Sequence, residues 1–197
     1  MFESDVNTLN HCIGDIERFV SRIRWVSRAQ RELEEQARQS RTSQRRGSRG
    51  APHPDPRILQ IKARVPSEAE FADIFRKFKL SFNLLAELRT RIHNPSAPQL
   101  LHCLFNELPV ILHACQWGLG KDIAPKISSP LLSQDARDLM RNSLSAKESA
   151  IWMSLGDAWR TTPEVWPHLL PPPYQPVFID GFAPYGLPMS AAGAPSI

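Results

Sequence analysis

A chain of 197 residues has room for one well-formed core and a tail. With 42% hydrophobic and 22% charged residues, most of it is expected to be globular. The formal charge of +4 is local: residues 38–57 hold six arginines against one acid, Asp55, which leaves the remainder at −1. A folded nucleic-acid reader carries its positive charge on a structured face, so no nucleic-acid partner is expected.

Cys12, Cys103 and Cys115 are too few, and odd in number, for a disulfide framework. The opening "MFESDVNTLN" has neither the basic nor the apolar region of a signal peptide. No run reaches the roughly 18 apolar residues of a membrane span. A cytoplasmic location is the expectation.

Residues 1–37 are expected to form the first long helix, with Ser4 as its N-cap. Val6, Leu9, Ile13, Ile16, Val20 and Ile23 alternate in steps of three and four, and Cys12, Phe19, Val26 and Leu33 recur every seven. The resulting stripe is wide enough to touch two neighbours in a bundle. The helix would be about 50 Å long.

Residues 38–57 are rich in Arg, Ser, Gly and Pro and read as a flexible linker. Arg38, Arg41, Arg45, Arg46 and Arg49 make it a candidate basic patch, able to touch an acidic membrane surface weakly. A phosphoinositide or nucleic-acid binder acting through this stretch is the alternative functional reading. No aromatic side chain interrupts the arginines, so bases have no stacking platform.

Residues 58–160 are expected to supply the remaining helices. Alternation from Leu59 to Val65 permits a short extended segment. Ser67 with Glu70, Ser96 with Gln99 and Ser145 with Glu148 are capping boxes, each opening a helix. Phe71, Phe75, Phe78, Phe82 and Leu85 line the helix after Ser67, and Asn94-Pro95 is its expected stop. Pro109 is expected to kink the next helix. "WGLGKDIAPKISSP" reads as a loop, Leu131 to Leu144 as a short helix, and Trp152 and Trp159 as core residues of the last helix. The fold class is all-α: a bundle of about four or five helices, followed over residues 161–197 by an extended proline-rich strap.

Candidate sites are few. His11-Cys12, His102-Cys103 and His113-x-Cys115 carry zinc-type ligands, but none has a C-x-x-C or H-x-x-x-H spacing. There is no G-x-S-x-G, Gly-rich phosphate loop or H-E-x-x-H. No cofactor, metal or catalytic residue is expected, and the chain is read as a non-enzyme. "PPPY" at Pro171, Pro172, Pro173 and Tyr174 fits the pattern read by WW domains, and Pro173 with Pro176 gives the P-x-x-P of SH3 ligands. The apolar residues that follow favour packing of Tyr174, Val177 and Phe178 back onto the bundle.

The blocks "ESDVNTLNHCIGDIERFVSR", "FRKFKLSFNLLAELRTRIHNPSA", "SPLLSQDARDLM", "WMSLGDAW" and "PPPYQPVFIDGF" occur in that order. Together they resemble the region between the phosphotyrosine-binding and SH3 domains of the epidermal growth factor receptor kinase substrate eight family and its "like" paralogues. The resemblance covers roughly residues 4–185. It implies a spectrin-like helical domain within a cytosolic adaptor. It also implies a pathway from receptor tyrosine kinases to Rac activation and actin remodelling at the cell cortex and ruffles. The modules through which that family docks receptors, recruits partners and binds actin are not those of this region.

Overall fold

The computed structural model describes residues 2–44, 65–116 and 122–184. Among them the regular structure is helical, with no strand. The six α-helices are α1 (Phe2–Gln44), α2 (Glu68–Leu88), α3 (Ala97–Cys115), α4 (Ile123–Lys126), α5 (Gln134–Ser143) and α6 (Ala146–Ser154). The expected all-α class holds.

Helix α1 departs from expectation at both ends. It begins at Phe2, and the carbonyl of Ser4 accepts a hydrogen bond from the Thr8 hydroxyl instead of the side chain capping the helix. It runs on to Gln44, so Arg38 and Arg41 stand on a helix and not in a linker. The low apolar content there removes burial, but Arg and Gln are good helix formers and the first glycine is Gly47. At 43 residues α1 is about 64 Å long, roughly twice the length of α2 or α3. Its buried face, from Leu9 to Ala29, belongs to the bundle. The remaining arginines of the basic stretch, Arg45, Arg46, Arg49 and Arg57, and the alternating segment before Val65 lie outside the described residues.

The capping boxes are present where the spacing puts them. Glu70, Gln99 and Glu148 each accept, at 2.8 Å, from the backbone N–H of the serine three positions earlier. At Ser67 and Ser145 the hydroxyl also accepts from the N–H three residues on, so two donors are satisfied at those entries and fix where the chain turns helical. Helix α2 stops at Leu88, short of Asn94-Pro95, because proline restricts only its immediate predecessor. The Leu88 carbonyl accepts from Arg91 and Ile92, which closes the turn. Pro109 lies inside α3 without ending it.

Helices α1 and α2 are antiparallel: Phe19 meets Phe71 edge to face, and Arg91 lies over the Phe2 ring. Helix α3 returns beside both, stacking Phe105 on Phe82 and pairing Glu107 with Arg24. Phe75, Phe78, Phe82, Leu85, Leu101 and Leu108 are fully buried at the centre.

The short helices close the other side of α2. Helix α5 starts at Gln134, later than Leu131. Leu131 and Leu132 are buried but precede the helix, and Ser133 provides the cap. Asn83 holds this entry from both directions, donating to the Leu131 carbonyl and accepting from the Ser133 N–H at 2.9 Å each. Trp152 and Trp159 are core residues, but the helix between them ends at Ser154. Gly156 breaks it with φ +100, and a side chain there would meet Pro125 Cβ at 3.1 Å. Trp159 then donates to the Ala124 carbonyl and Trp152 to the Trp159 carbonyl, tying α4 and α6 to the same point. The stretch expected to be loop contains the single turn α4.

After Thr161 the described residues form one 3-10 turn, Pro163–Val165, and otherwise neither helix nor strand.

Candidate interaction site

The last described segment lies against α1 and α2 through polar contacts that begin with two charges in the apolar stripes. Lys77 sits between Phe75 and Phe78 on α2, and Asp15 between Cys12 and Ile16 on α1. Their side chains are 2% and 1% exposed and meet at 2.8 Å. Asp73, one helical turn before Lys77, completes a second pair at 2.7 Å. Burial works against the Lys77 charge, but the hydrogen bonds to Asp15 and Asp73 outweigh it and hold its pKa above the ordinary lysine value.

The segment reads this charged cluster. Tyr174 donates to Asp73 Oδ1 at 2.9 Å, and the Ile179 N–H donates to Asp15 Oδ2 at 3.3 Å. Phe178 is buried, with the Lys77 ammonium 5.4 Å from its ring centre. His11 pairs with Asp180 at 2.7 Å and stacks on Phe182 at 3.9 Å. Burial, then the Asp73 carboxylate, raises the Tyr174 pKa well beyond the ordinary phenol range, so the hydroxyl stays a donor. The Ser129 hydroxyl donates to the Pro172 carbonyl at 2.8 Å, at the entry to this run.

This arrangement places the proline motif precisely enough to judge its members. Pro172 and Pro173 are exposed, Pro171 and Pro176 half-buried, and Tyr174 is engaged by α2. Packing of Tyr174 and Phe178 agrees with expectation; Val177 does not pack, and is 78% exposed. Phe178 is buried while its neighbours Val177 and Ile179 are exposed, Ile179 within the turn that the Gly181 N–H closes on the Phe178 carbonyl at 3.1 Å. Val177 and Ile179 therefore rim a groove of about 450 Å³ floored by Phe19 and Ile74 and flanked by Arg22 with its partner Glu70.

The basic patch is not assembled as one site in the described residues. Arg38 stands on α1 with Glu34 at 3.9 Å, and Arg41 is on the same helix. The histidine–cysteine pairs diverge: Cys12 is buried, where burial pushes its thiol up to about 12, His102 meets Glu148, and Cys103 is exposed. Among the described residues no three metal-type side chains converge. No described helix is long and apolar enough to cross a membrane.

Sequence reasoning missed the Asp15–Asp73–Lys77 cluster. The signal was available: oppositely charged residues occupy stripe positions on two helices that must pack together.

Fold and site define a helical bundle against which the segment from Tyr174 to Phe182 is held by polar contacts. The chain belongs to the EPS8 spectrin-like domain family, whose sequence model matches residues 4–167. It is 39% identical over 183 residues to human epidermal growth factor receptor kinase substrate 8-like protein 2, covering 92% of this chain and 24% of that protein. It is 40% identical over 186 residues to mouse epidermal growth factor receptor kinase substrate 8-like protein 1, with 92% and 24% covered. Against mouse epidermal growth factor receptor kinase substrate 8 the identity is 38% over 183 residues, with 92% and 21% covered. The chain thus spans about a quarter of the length of these curated relatives. No solved structure matches it.

Proposed function

We propose that this chain is a noncatalytic scaffold and interaction domain of a signalling adaptor. It acts between receptor tyrosine kinases and Rac activation with actin remodelling, in the cytoplasm at the cortex and ruffles. The observation that carries the reading is similarity along 92% of the chain to proteins named as receptor kinase substrates. The geometry supports a structural contribution. A three-helix core with the segment from Tyr174 to Phe182 clamped across it holds its ends at fixed separation, which a flexible linker cannot do. The proline run is a docking site for WW or SH3 domains, with Pro172 and Pro173 facing outward and Tyr174 held in reserve by Asp73.

The test replaces the helical region of receptor kinase substrate 8 with either this chain or a Gly/Ser linker of equal length. Growth-factor-stimulated Rac loading should persist with the chain and fall with the linker. Equal loading in both would remove the scaffold reading. Purified residues 1–197 alone should change neither Rac nucleotide exchange nor actin elongation, and a dose-dependent change in either would contradict the noncatalytic reading.

A further inference from the structure

A second groove, of about 440 Å³, runs between α1 and α3. Ile23, Val110 and Pro109 give it an apolar lining, and Arg24, Arg28 and Arg31 stand along its α1 side. The two grooves differ in charge balance. In the groove beside Phe178, Arg18, Arg22 and Lys77 are each paired with a carboxylate: Asp15, Glu70, and Asp15 with Asp73. In the second groove Arg24 pairs with Glu107, whereas among the described residues Arg28 and Arg31 have no carboxylate partner. Glu32, Glu34 and Glu35 lie within the next turn of α1, and none pairs with them.

We propose that this groove docks an acidic amphipathic helix of a protein partner. Residues 24, 28 and 31 repeat at four and three, so their guanidinium groups form one row about 10 Å long. A helix with glutamates at the same spacing on one edge and apolar residues beside them presents carboxylates to that row. Its apolar side chains then reach Ile23 and Val110. This is helix-in-groove recognition, with the charge row setting register and the apolar floor supplying burial. Exposed Trp25 flanks the row on α1, and Pro109 gives α3 a surface without a backbone donor to satisfy. A bare membrane or nucleic acid would satisfy the arginines but leave the apolar floor unused. The surface is independent of the proline segment and of the pathway reading.

The experiment uses residues 1–197 and a fluorescein-labelled helical peptide of Glu, Leu and Ala with glutamates along one edge. Its comparators are the Glu→Gln counterpart, a polyglutamate of equal charge, a single-stranded oligonucleotide, and phosphatidylcholine vesicles containing phosphatidylserine. The glutamate helix should bind more tightly than every comparator. Arg28→Glu with Arg31→Glu should weaken it at least about tenfold, and Val110→Asp should weaken it comparably. Arg45→Glu with Arg46→Glu and Arg49→Glu should leave it within about twofold. Circular dichroism keeps the comparison to folded variants; Arg28 and Arg31 are exposed, so their replacement spares the core. No binding of the glutamate helix overturns the proposal. So does equal or tighter binding of any comparator, or binding that survives the double arginine reversal.

Discussion

The phenolic hydroxyl of Tyr174 donates to Asp73 Oδ1 at 2.9 Å, across 101 positions of sequence. This one bond decides how the proline motif can be read. An SH3 domain that reads Pro173 and Pro176 finds the first in solvent and the second half-buried, whereas a WW domain that also needs the tyrosine must take it from α2.

A ligand that binds only a released segment sees its affinity reduced by the released fraction. The folded chain should therefore bind a WW domain at least about tenfold more weakly than a free peptide of residues 168–182. Phe178→Ala, which removes the buried anchor of the segment, should narrow that gap. Titration by isothermal calorimetry checks both statements, and equal affinities for chain and peptide would mean that the segment is not held.

The pair of Asp15 and Lys77 leads to a second expectation. Removing one member of a buried ion pair typically costs about 3–5 kcal/mol when the other is left uncompensated; here Lys77 keeps Asp73 and Asp15 keeps Arg18, so the loss should fall toward the low end of that range. Asp15→Asn is the more severe change, because Asp15 also accepts from Ile179. Lys77→Met alone leaves the buried Asp15 with Arg18 and the Ile179 N–H as partners, and Asp73, which reaches solvent, with Tyr174. The double variant should recover part of the loss of Asp15→Asn. Urea unfolding of the four proteins measures the coupling, and strictly additive losses would mean that the two charges do not interact.

Local rules reached the parts of this fold that local chemistry determines. Ser67, Ser96 and Ser145 begin helices because each partner is three residues away, and the stripe from Phe71 to Leu85 is core because 3.6-residue periodicity gathers it on one face. Leu131 and Leu132 misled because a buried apolar pair satisfies helix and extended chain alike. Arg38 to Gln44 misled because composition reports burial, while helix continuation there rests on backbone propensity. The Asp15–Lys77 pair spans 62 positions and the Tyr174–Asp73 bond 101, so neither could be assigned before the helices were laid side by side. Val177 is exposed and Phe178 buried, a difference between neighbours that composition does not express.

Gly14 offers a test of α1 itself. It is helical, and a Cβ placed on it meets nothing within 4 Å. Gly14→Ala should therefore raise stability by about 0.5–1 kcal/mol, through reduced freedom of the unfolded chain. A rise in the urea midpoint at unchanged m-value is the expected result. A decrease would place an unseen contact at this position.

Lys79 provides the pH dependence. Its side chain is fully buried, and Nζ donates to the Ile127 carbonyl at 2.8 Å and the Ala158 carbonyl at 2.9 Å, with the Trp159 ring centre 5.3 Å away. Burial pushes its pKa down from 10.5 to about 7, against carbonyls and a ring that favour the charged form. Between these two values the unfolded chain holds a proton that the folded chain has released. Stability contributed at this site therefore rises with pH across that window, and below it both states are protonated and the rise disappears. Cys12 and Cys115 act in the opposite direction: burial raises both thiols from 9.0 to about 12, so their contribution falls as pH climbs past the ordinary thiol value. Comparison with Lys79→Met between pH 7 and about 8.5 separates the terms, since the variant retains both thiols. Lys79→Met should be less stable at every pH, because two buried carbonyls lose their donor. The gap between wild type and variant should widen as pH rises, approaching about 1.4 kcal/mol per pH unit once the folded-state lysine has lost its proton. Parallel stability curves for the two proteins would show that Lys79 keeps its proton in the folded state throughout.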